Sequence, residues 1–124
     1  MIVIAVISIL TAIAYPVYTQ HMTKARRSEA QIALLNLAAS MERYAAIKNG
    51  SYEGATLSEL GVAATTAHGF YTLAIAQTSA SGYELQAIPN AVQAHNDILC
   101  KTLMIDQRGR KQQMGLGTMQ ECWG

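Results

Sequence analysis

Apolar residues fill most of the first 23 positions, MIVIAVISILTAIAYPVYTQHMT, and no Asp, Glu, Lys or Arg interrupts them. Lys24-Ala-Arg-Arg27 follows at once and is the densest positive cluster in the first half of the chain. A helix rises ~1.5 Å per residue, so this stretch is long enough for the ~30 Å hydrocarbon core of a bilayer. From Lys24 to about Lys48 the pattern becomes helical: Ala30, Leu34, Leu37, Ala38, Met41 and Ala45 recur at spacings of three and four and form one apolar face. Ile32, Leu35 and Ala39 form a second stripe, wider than a one-sided surface helix needs. One stripe is expected to cover a sheet and the other to meet neighbouring subunits. Asn49-Gly50 ends the helix, with Gly suited to the left-handed position after a C-cap. Asn49-Gly50-Ser51 also satisfies the N-x-S glycosylation pattern, but the cap accounts for it.

Residues 51–69 carry Gly, Ser and Thr among scattered apolar positions and predict a connecting loop, pinned to the body by Leu57, Leu60 and Val62. Period-two alternation then predicts strands at Phe70–Gln77, Gly82–Pro89 and Cys100–Asp106, with a short fourth at Arg110–Met114. Thr78-Ser-Ala-Ser-Gly82 supplies the first hairpin turn, and Gln107-Arg-Gly109 the second, with Gly at a positive-φ site. The fold class that follows is α+β: a long N-terminal helix, kinked at Pro16, laid on a small antiparallel sheet. Pro inside a helix removes a donor and clashes with the preceding turn, so a kink or local melting is expected over Ala12–Pro16.

Three readings of the apolar segment compete. A secretory signal would need a positive start and a small-residue cleavage site, and nothing positive precedes this run. A plain membrane anchor is the second, with Lys24, Arg26 and Arg27 favouring a cytoplasmic far side. The third is a helix that visits the membrane and later packs against identical helices. Behind the segment, about a hundred residues suffice for one core and not for two. The organisation is therefore an apolar membrane or assembly segment, 1–23, and a globular head, 24–124, that includes the second half of the helix.

Net charge is +1, so bulk charge selects neither nucleic acid nor an acidic substrate. Cys100 and Cys122 lack CxxC spacing and a His cluster, which argues against metal. A disulfide closing a loop of roughly 20 residues, worth ~3 kcal/mol in the chain-entropy model, is the better account; two reduced buried thiols are the alternative. Such a bond implies periplasm or cell exterior, against the cytoplasmic side suggested by the basic cluster. His21, His68 and His95 stand apart from carboxylate or cysteine partners in sequence and are expected to be solvated, the last two in loops. No nucleophile motif, phosphate loop or carboxylate pair is present, so the chain is read as no enzyme, with no cofactor and no metal.

Residues 100–124 hold four basic residues, Lys101, Arg108, Arg110 and Lys111, against two acidic ones. A cluster of this kind attracts phosphate, and these four are the candidate DNA contacts; a solvated turn is the plainer account. Trp123 could stack on a base or lock the C-terminus to the sheet.

MIVIAVISILTAIAYPVY, continued through Tyr18, Arg26, Ser28, Glu29 and Ala30, resembles the N-terminal helix of type IV pilins. Glu42-Arg-Tyr44, Asn49-Gly-Ser-Tyr52, Phe70-Tyr-Thr-Leu and the ending Cys122-Trp123 are similar to the PilE/ComP-type subgroup. The resemblance implies a chain lacking about six N-terminal residues, among them the family's Glu that guides subunit docking. Ser8 stands where the family usually has Gly, and Pro16 where it has its helix-breaking Pro. It implies a C-terminal cysteine pair enclosing a variable loop, which fits Cys100 and Cys122. It also implies a subunit of an extracellular filament, held first in the inner membrane and then assembled with identical or related pilins. Ile2, Ile4, Val6, Ile9, Ile13 and Pro16 would form the assembly helix. A DNA-uptake receptor using the basic hairpin, a pseudopilin of a type II secretion system and a plain anchored periplasmic module are the alternatives.

Overall fold

One helix, α1 (Ile2–Ile47), runs through nearly the whole height of the molecule. The structure is a computed structural model that describes residues 2–123, with the side chains of Tyr15 and Pro16 outside the described set. The kink expected at Pro16 falls there and lies outside the described residues. The backbone assignment stays helical across Ala12–Pro16.

The C-terminal half of α1 packs on a four-stranded antiparallel sheet of order β1-β2-β3-β4: β1 (Tyr71–Thr78), β2 (Tyr83–Pro89), β3 (Leu103–Asp106) and β4 (Lys111–Gln113). Each strand falls within about three residues of its sequence expectation. Ala30, Leu34, Leu37 and Met41 are buried in one core with Leu73, Leu85, Ala87, Leu103 and Ile105; Ala38 is half-buried beside them, and Ala45 is buried farther along the helix. Ile32 and Leu35, the second stripe, stay exposed. Alternation holds through β2, whose Tyr83, Leu85 and Ala87 point inward. A register shift between Ile75 and Gln77 leaves Ala76 out of the β1–β2 pairing.

The helix ends at Ile47 with Gly50 N–H donating to the Ala45 carbonyl at 2.7 Å. Asn49, at φ 59°, takes the left-handed position one residue before Gly50. The connecting segment is less featureless than expected, because Thr56 caps a single turn, α2 (Leu57–Leu60). Leu57, Leu60 and Val62 do pack onto the core. Two further short helices, α3 (Ala91–Asn96) and α4 (Met119–Trp123), complete the chain. Asn90 caps α3, and Thr118 with Glu121 forms a reciprocal capping box on α4.

Three residues one turn apart tie the middle of α1 to the rest of the head. The Thr23 carbonyl accepts from Gln93 Nε2 of α3 at 3.0 Å. Arg27 donates through Nε and Nη2 to the two oxygens of Asp97, at 2.9 and 2.8 Å, and through Nη1 to the Glu121 carbonyl. Gln31 Nε2 donates to the Cys122 carbonyl. Gln93 also donates to the Tyr71 hydroxyl, whose pKa burial pushes up to about 12. At the other end, the Glu42 carboxylate accepts from the hydroxyls of Tyr52 and Tyr83, whose rings meet edge to face at 4.9 Å. Burial and that carboxylate both raise the Tyr83 pKa.

The Arg27–Asp97 pair is almost dry, its side chains 13% and 2% exposed. Replacing Arg27 by Ala leaves a buried carboxylate without its partner, and the expected loss is about 3–5 kcal/mol in urea unfolding. Arg27→Lys keeps the charge but not the two-pronged geometry, so its loss should be smaller but clear. Equal stability of wild type and Arg27→Ala would remove the pair as a fastening.

His68, exposed in a turn as expected, belongs to a second fastening with a residue distant in sequence: its Nδ1 lies 2.9 Å from Glu29 Oε2, and its backbone N–H donates to Oε1. Hydrogen bonding from the His68 side chain is the main cause holding Glu29 below the usual glutamate range, with burial opposing. A carboxyl with a lowered folded-state pKa stabilises above its unfolded pKa, and that contribution is lost as pH falls through the folded value. The loop around His68 should therefore loosen as pH drops below about 4, the usual glutamate range, while Glu29→Gln loosens it already at neutral pH. Amide exchange at His68 across pH reads this directly.

Candidate functional site

Two surfaces carry the chemistry suggested by the sequence, and they lie at opposite ends of the molecule. The first is the lower half of α1. Ile2, Ile4, Val6, Ile9 and Ile13 are exposed, and burial in the head begins only at Thr23. The side chain of Pro16 lies outside the described residues. The hydroxyls of Ser8 and Thr11 donate back to the carbonyls of Ile4 and Ile7, at 2.9 and 2.8 Å. Both polar groups are thus satisfied within the helix, which suits an apolar surrounding where no water can serve them. By length and composition this helix can cross a membrane.

The second surface is the β3–β4 hairpin. Gly109, at φ 74°, closes the turn by donating to the Asp106 carbonyl. Asp106 organises the rest: its Oδ1 accepts from the backbone N–H groups of Arg108 and Arg110, and its Oδ2 from Arg110 Nε, all at 2.9 Å. Although partial burial pushes the Asp106 pKa up, its hydrogen bonds with Arg110 and Arg108 prevail and hold it low. Arg110 is consequently an ion-paired residue, whereas exposed Arg108 shows no ion pair among the described residues. Lys111 sits with its Nζ 5.4 Å from the centre of the Trp123 ring. Trp123 donates to the Gln112 carbonyl and ties the C-terminal tail to β4.

The four candidate DNA contacts do not form one patch. Arg108, Arg110 and Lys111 share the hairpin, but Lys101 lies before β3 at its other end. At ~3.3 Å per residue, the length of β3 and its flanks puts roughly 15–20 Å between Lys101 and the turn. Lys101 belongs instead to the corner where α1 enters the head, since its N–H donates to the Asp97 carbonyl.

Cys100 and Cys122 are bonded, with Cα atoms 5.5 Å apart. Their loop encloses the whole hairpin and joins the approach to β3 to α4. Among the described residues no group of three His, Cys, Asp or Glu is placed to hold a metal ion.

Several residues escaped the sequence reading. Arg26 and Arg27, read there as charges beside a membrane, face the head: Arg26 lies 3.8 Å over the Phe70 ring and Arg27 grips Asp97. Of that basic cluster only Lys24 stays exposed. His95 lies in the last turn of α3 and not in a loop. The Asn90 and Thr118-x-x-Glu121 caps carried a local signal. Arg27–Asp97, 70 residues apart, carried none.

With this geometry in place, comparison with known proteins is decisive. The family model described as "Type IV minor pilin ComP, DNA uptake sequence receptor" matches residues 16–104, well over half of the chain. Among solved structures, the non-core minor pilin PilV of Neisseria meningitidis is similar, at 26% identity and TM-score 0.62 over 85% of this chain and 97% of that one. A type IV pilin from Shewanella oneidensis is similar too, at 25% identity and TM-score 0.59 over 82% and 98%. No curated protein sequence matches the chain. A long helix on an antiparallel sheet, closed by the Cys100–Cys122 disulfide, is the architecture of this chain, and with the family model matching over half of its length the chain belongs to the family of that minor pilin model: it is a type IV pilin subunit.

Proposed function

We propose that this subunit waits in the inner membrane on the apolar part of α1, 1–23, and then enters an extracellular filament of identical or related pilins through the same helix. One observation carries the reading: the head 24–124 closes its own core, yet the aliphatic side chains from Ile2 to Ile13 have nothing of their own chain to cover them. A buried Leu or Ile side chain contributes ~1.5–3 kcal/mol, so moving this helix from lipid into a bundle of like helices keeps it out of water at both stages. The exposed Ile32 and Leu35 extend that contact surface up the head.

A chain starting at Met22 should remain a folded, soluble monomer and should fail to enter filaments. A chain starting at Lys24 loses the Thr23 carbonyl, leaves a buried Gln93 donor short of an acceptor, and should be less stable by about 1–3 kcal/mol. Chemical unfolding and a filament-incorporation assay check both expectations. A Met22 chain that aggregates, or one that still assembles, contradicts the division.

A second reading is favoured by the description of the matching family, which is that of a DNA uptake sequence receptor. In it the subunit receives extracellular DNA through the β3–β4 hairpin, at the end of the head away from the apolar helix. The geometry ranks the contacts: Arg108 and Lys111 lack a carboxylate partner among the described residues, while Arg110 already faces Asp106.

Each duplex phosphate contact removed should lower the slope of log affinity against log salt by ~0.9. The double variant Arg108→Ala/Lys111→Ala is thus expected to lose close to two such steps, Arg110→Ala less than one, and Lys101→Ala none. The measurement is binding of the soluble head to duplex DNA across a salt series. Absence of wild-type binding at low salt, or equal effects at all four positions, removes the hairpin as the DNA contact.

A further inference from the structure

One corner of the head holds large aliphatic side chains out in solvent although its backbone is braced on every side. Ile98 is 60% exposed and Leu99 46%. Just before them Asp97 is gripped by Arg27, and just after them Cys100 is bonded to Cys122. The Leu99 carbonyl accepts from Gly117 N–H at 2.7 Å. A Cβ at Gly115 would lie 2.1 Å from that same oxygen, so the returning chain rests directly on Leu99. Between these two glycines Leu116 projects, 97% exposed. Anchored in this way, the three side chains have no route back into the core.

The position of this corner along α1 gives it a partner. Ile98 and Leu99 line a groove of about 490 Å³ together with Thr19, Gln20 and Thr23 of the helix. The same groove takes in Arg27 and Asp97, so the corner straddles Lys24, where the uncharged run of the helix gives way to its first charges. α1 passes from the apolar segment into the head as one helix, with no linker that would let the head rise away. Exposed Lys24 and Lys101 flank the corner; of the two nearby acids, Asp97 is neutralised by Arg27, and Glu121, exposed beside Lys24, accepts from the Thr118 N–H. Aliphatic tips rimmed by lysines are the composition of an interfacial lipid contact.

We propose that Ile98, Leu99 and Leu116 form a second membrane contact, seated among the lipid headgroups beside the apolar helix, with Lys24 and Lys101 directed at lipid phosphates. The proposal rests on the membrane-held stage of the function proposed above. Because the corner lies on one side of α1, it selects the direction in which helix and head lean on the bilayer. Entry into a filament then requires two apolar groups, helix and corner, to leave lipid together.

The test uses the full chain, one copy per nanodisc, in phosphatidylcholine and phosphatidylglycerol with a nitroxide placed on the acyl chain close to the headgroup. Methyl NMR signals of three isoleucines are compared: Ile7 in the apolar segment, Ile98 in the corner and Ile47 at the far end of α1. Ile7 and Ile98 should lose most of their intensity while Ile47, roughly 35 Å farther along the helix axis than Met22, keeps its own. Replacing phosphatidylglycerol by the neutral lipid should weaken the loss at Ile98 and leave Ile7 as it was. Broadening of Ile7 with Ile98 as sharp as Ile47 overturns the corner contact and leaves the membrane-held helix standing. Sharp signals at Ile7 as well overturn both. With a single copy in each disc, a neighbouring helix cannot stand in for lipid.

Discussion

Everything in this molecule depends on the grip between the upper half of α1 and the inner face of the sheet. Ala30, Leu34, Leu37 and Met41 present one buried face at helical spacing, and Leu85, Ala87, Leu103 and Ile105 of the sheet share a single core with them. Removing a buried Leu from such a layer costs ~2–5 kcal/mol, a large part of what a domain of this size has in total. The grip fixes where the head begins, and so decides how much of the same helix is left bare. A subunit that must be stable alone and sticky in an array meets both demands by dividing one helix between two surroundings.

Polar ties act on a scaffold that the apolar layer has already set. Glu42 gathers Tyr52 and Tyr83 at the upper end, and Glu29 holds the segment before β1 through His68. At the lower end, Thr23, Arg27 and Gln31 engage α3, Asp97 and the disulfide-bonded tail. Within the loop closed by Cys100 and Cys122, β3 joins the core through Leu103 and Ile105, while the turn beyond it projects. That turn is organised by Asp106 within its own few residues, so the surface offered there depends little on how the helix is packed.

Periodicity made the helix, its buried stripe and all four strands legible, because those features repeat within a few residues of one another. Ala30, Leu34 and Leu37 announce their face by spacing alone. The order of residues in the apolar run carried the family, which composition could never have done. Short helices escaped for a physical reason: a single turn has no period, and only its caps give it away, as Thr56, Asn90 and Thr118 do here. Contacts between distant residues left no trace, so Arg27 read as a membrane flank, and His68, rightly read as an exposed loop residue, gave no sign of Glu29. The candidate DNA site was visible as a count of charges, but its geometry was not. Neighbours in sequence, Lys101 and Arg108 are divided by the length of a strand, and Arg110 is half spent on Asp106.

Thr23, Arg27 and Gln31 stand one above another along the helix axis, Thr23 bonded to α3, Arg27 to Asp97 at the end of α3 and to α4, and Gln31 to α4. A filament under tension pulls on its subunits along that axis. Bonds arrayed along the direction of pull share the load at once, in shear, whereas bonds arrayed across it would open one after another. Resistance to such a pull is set by the rate of unfolding and not by equilibrium stability, so a seam of this orientation lends the head mechanical endurance beyond its thermodynamic margin. Force reaching the head enters where a disulfide and a nearly dry ion pair are only a few residues away. The hairpin turns, at the far end, lie off the path of the load.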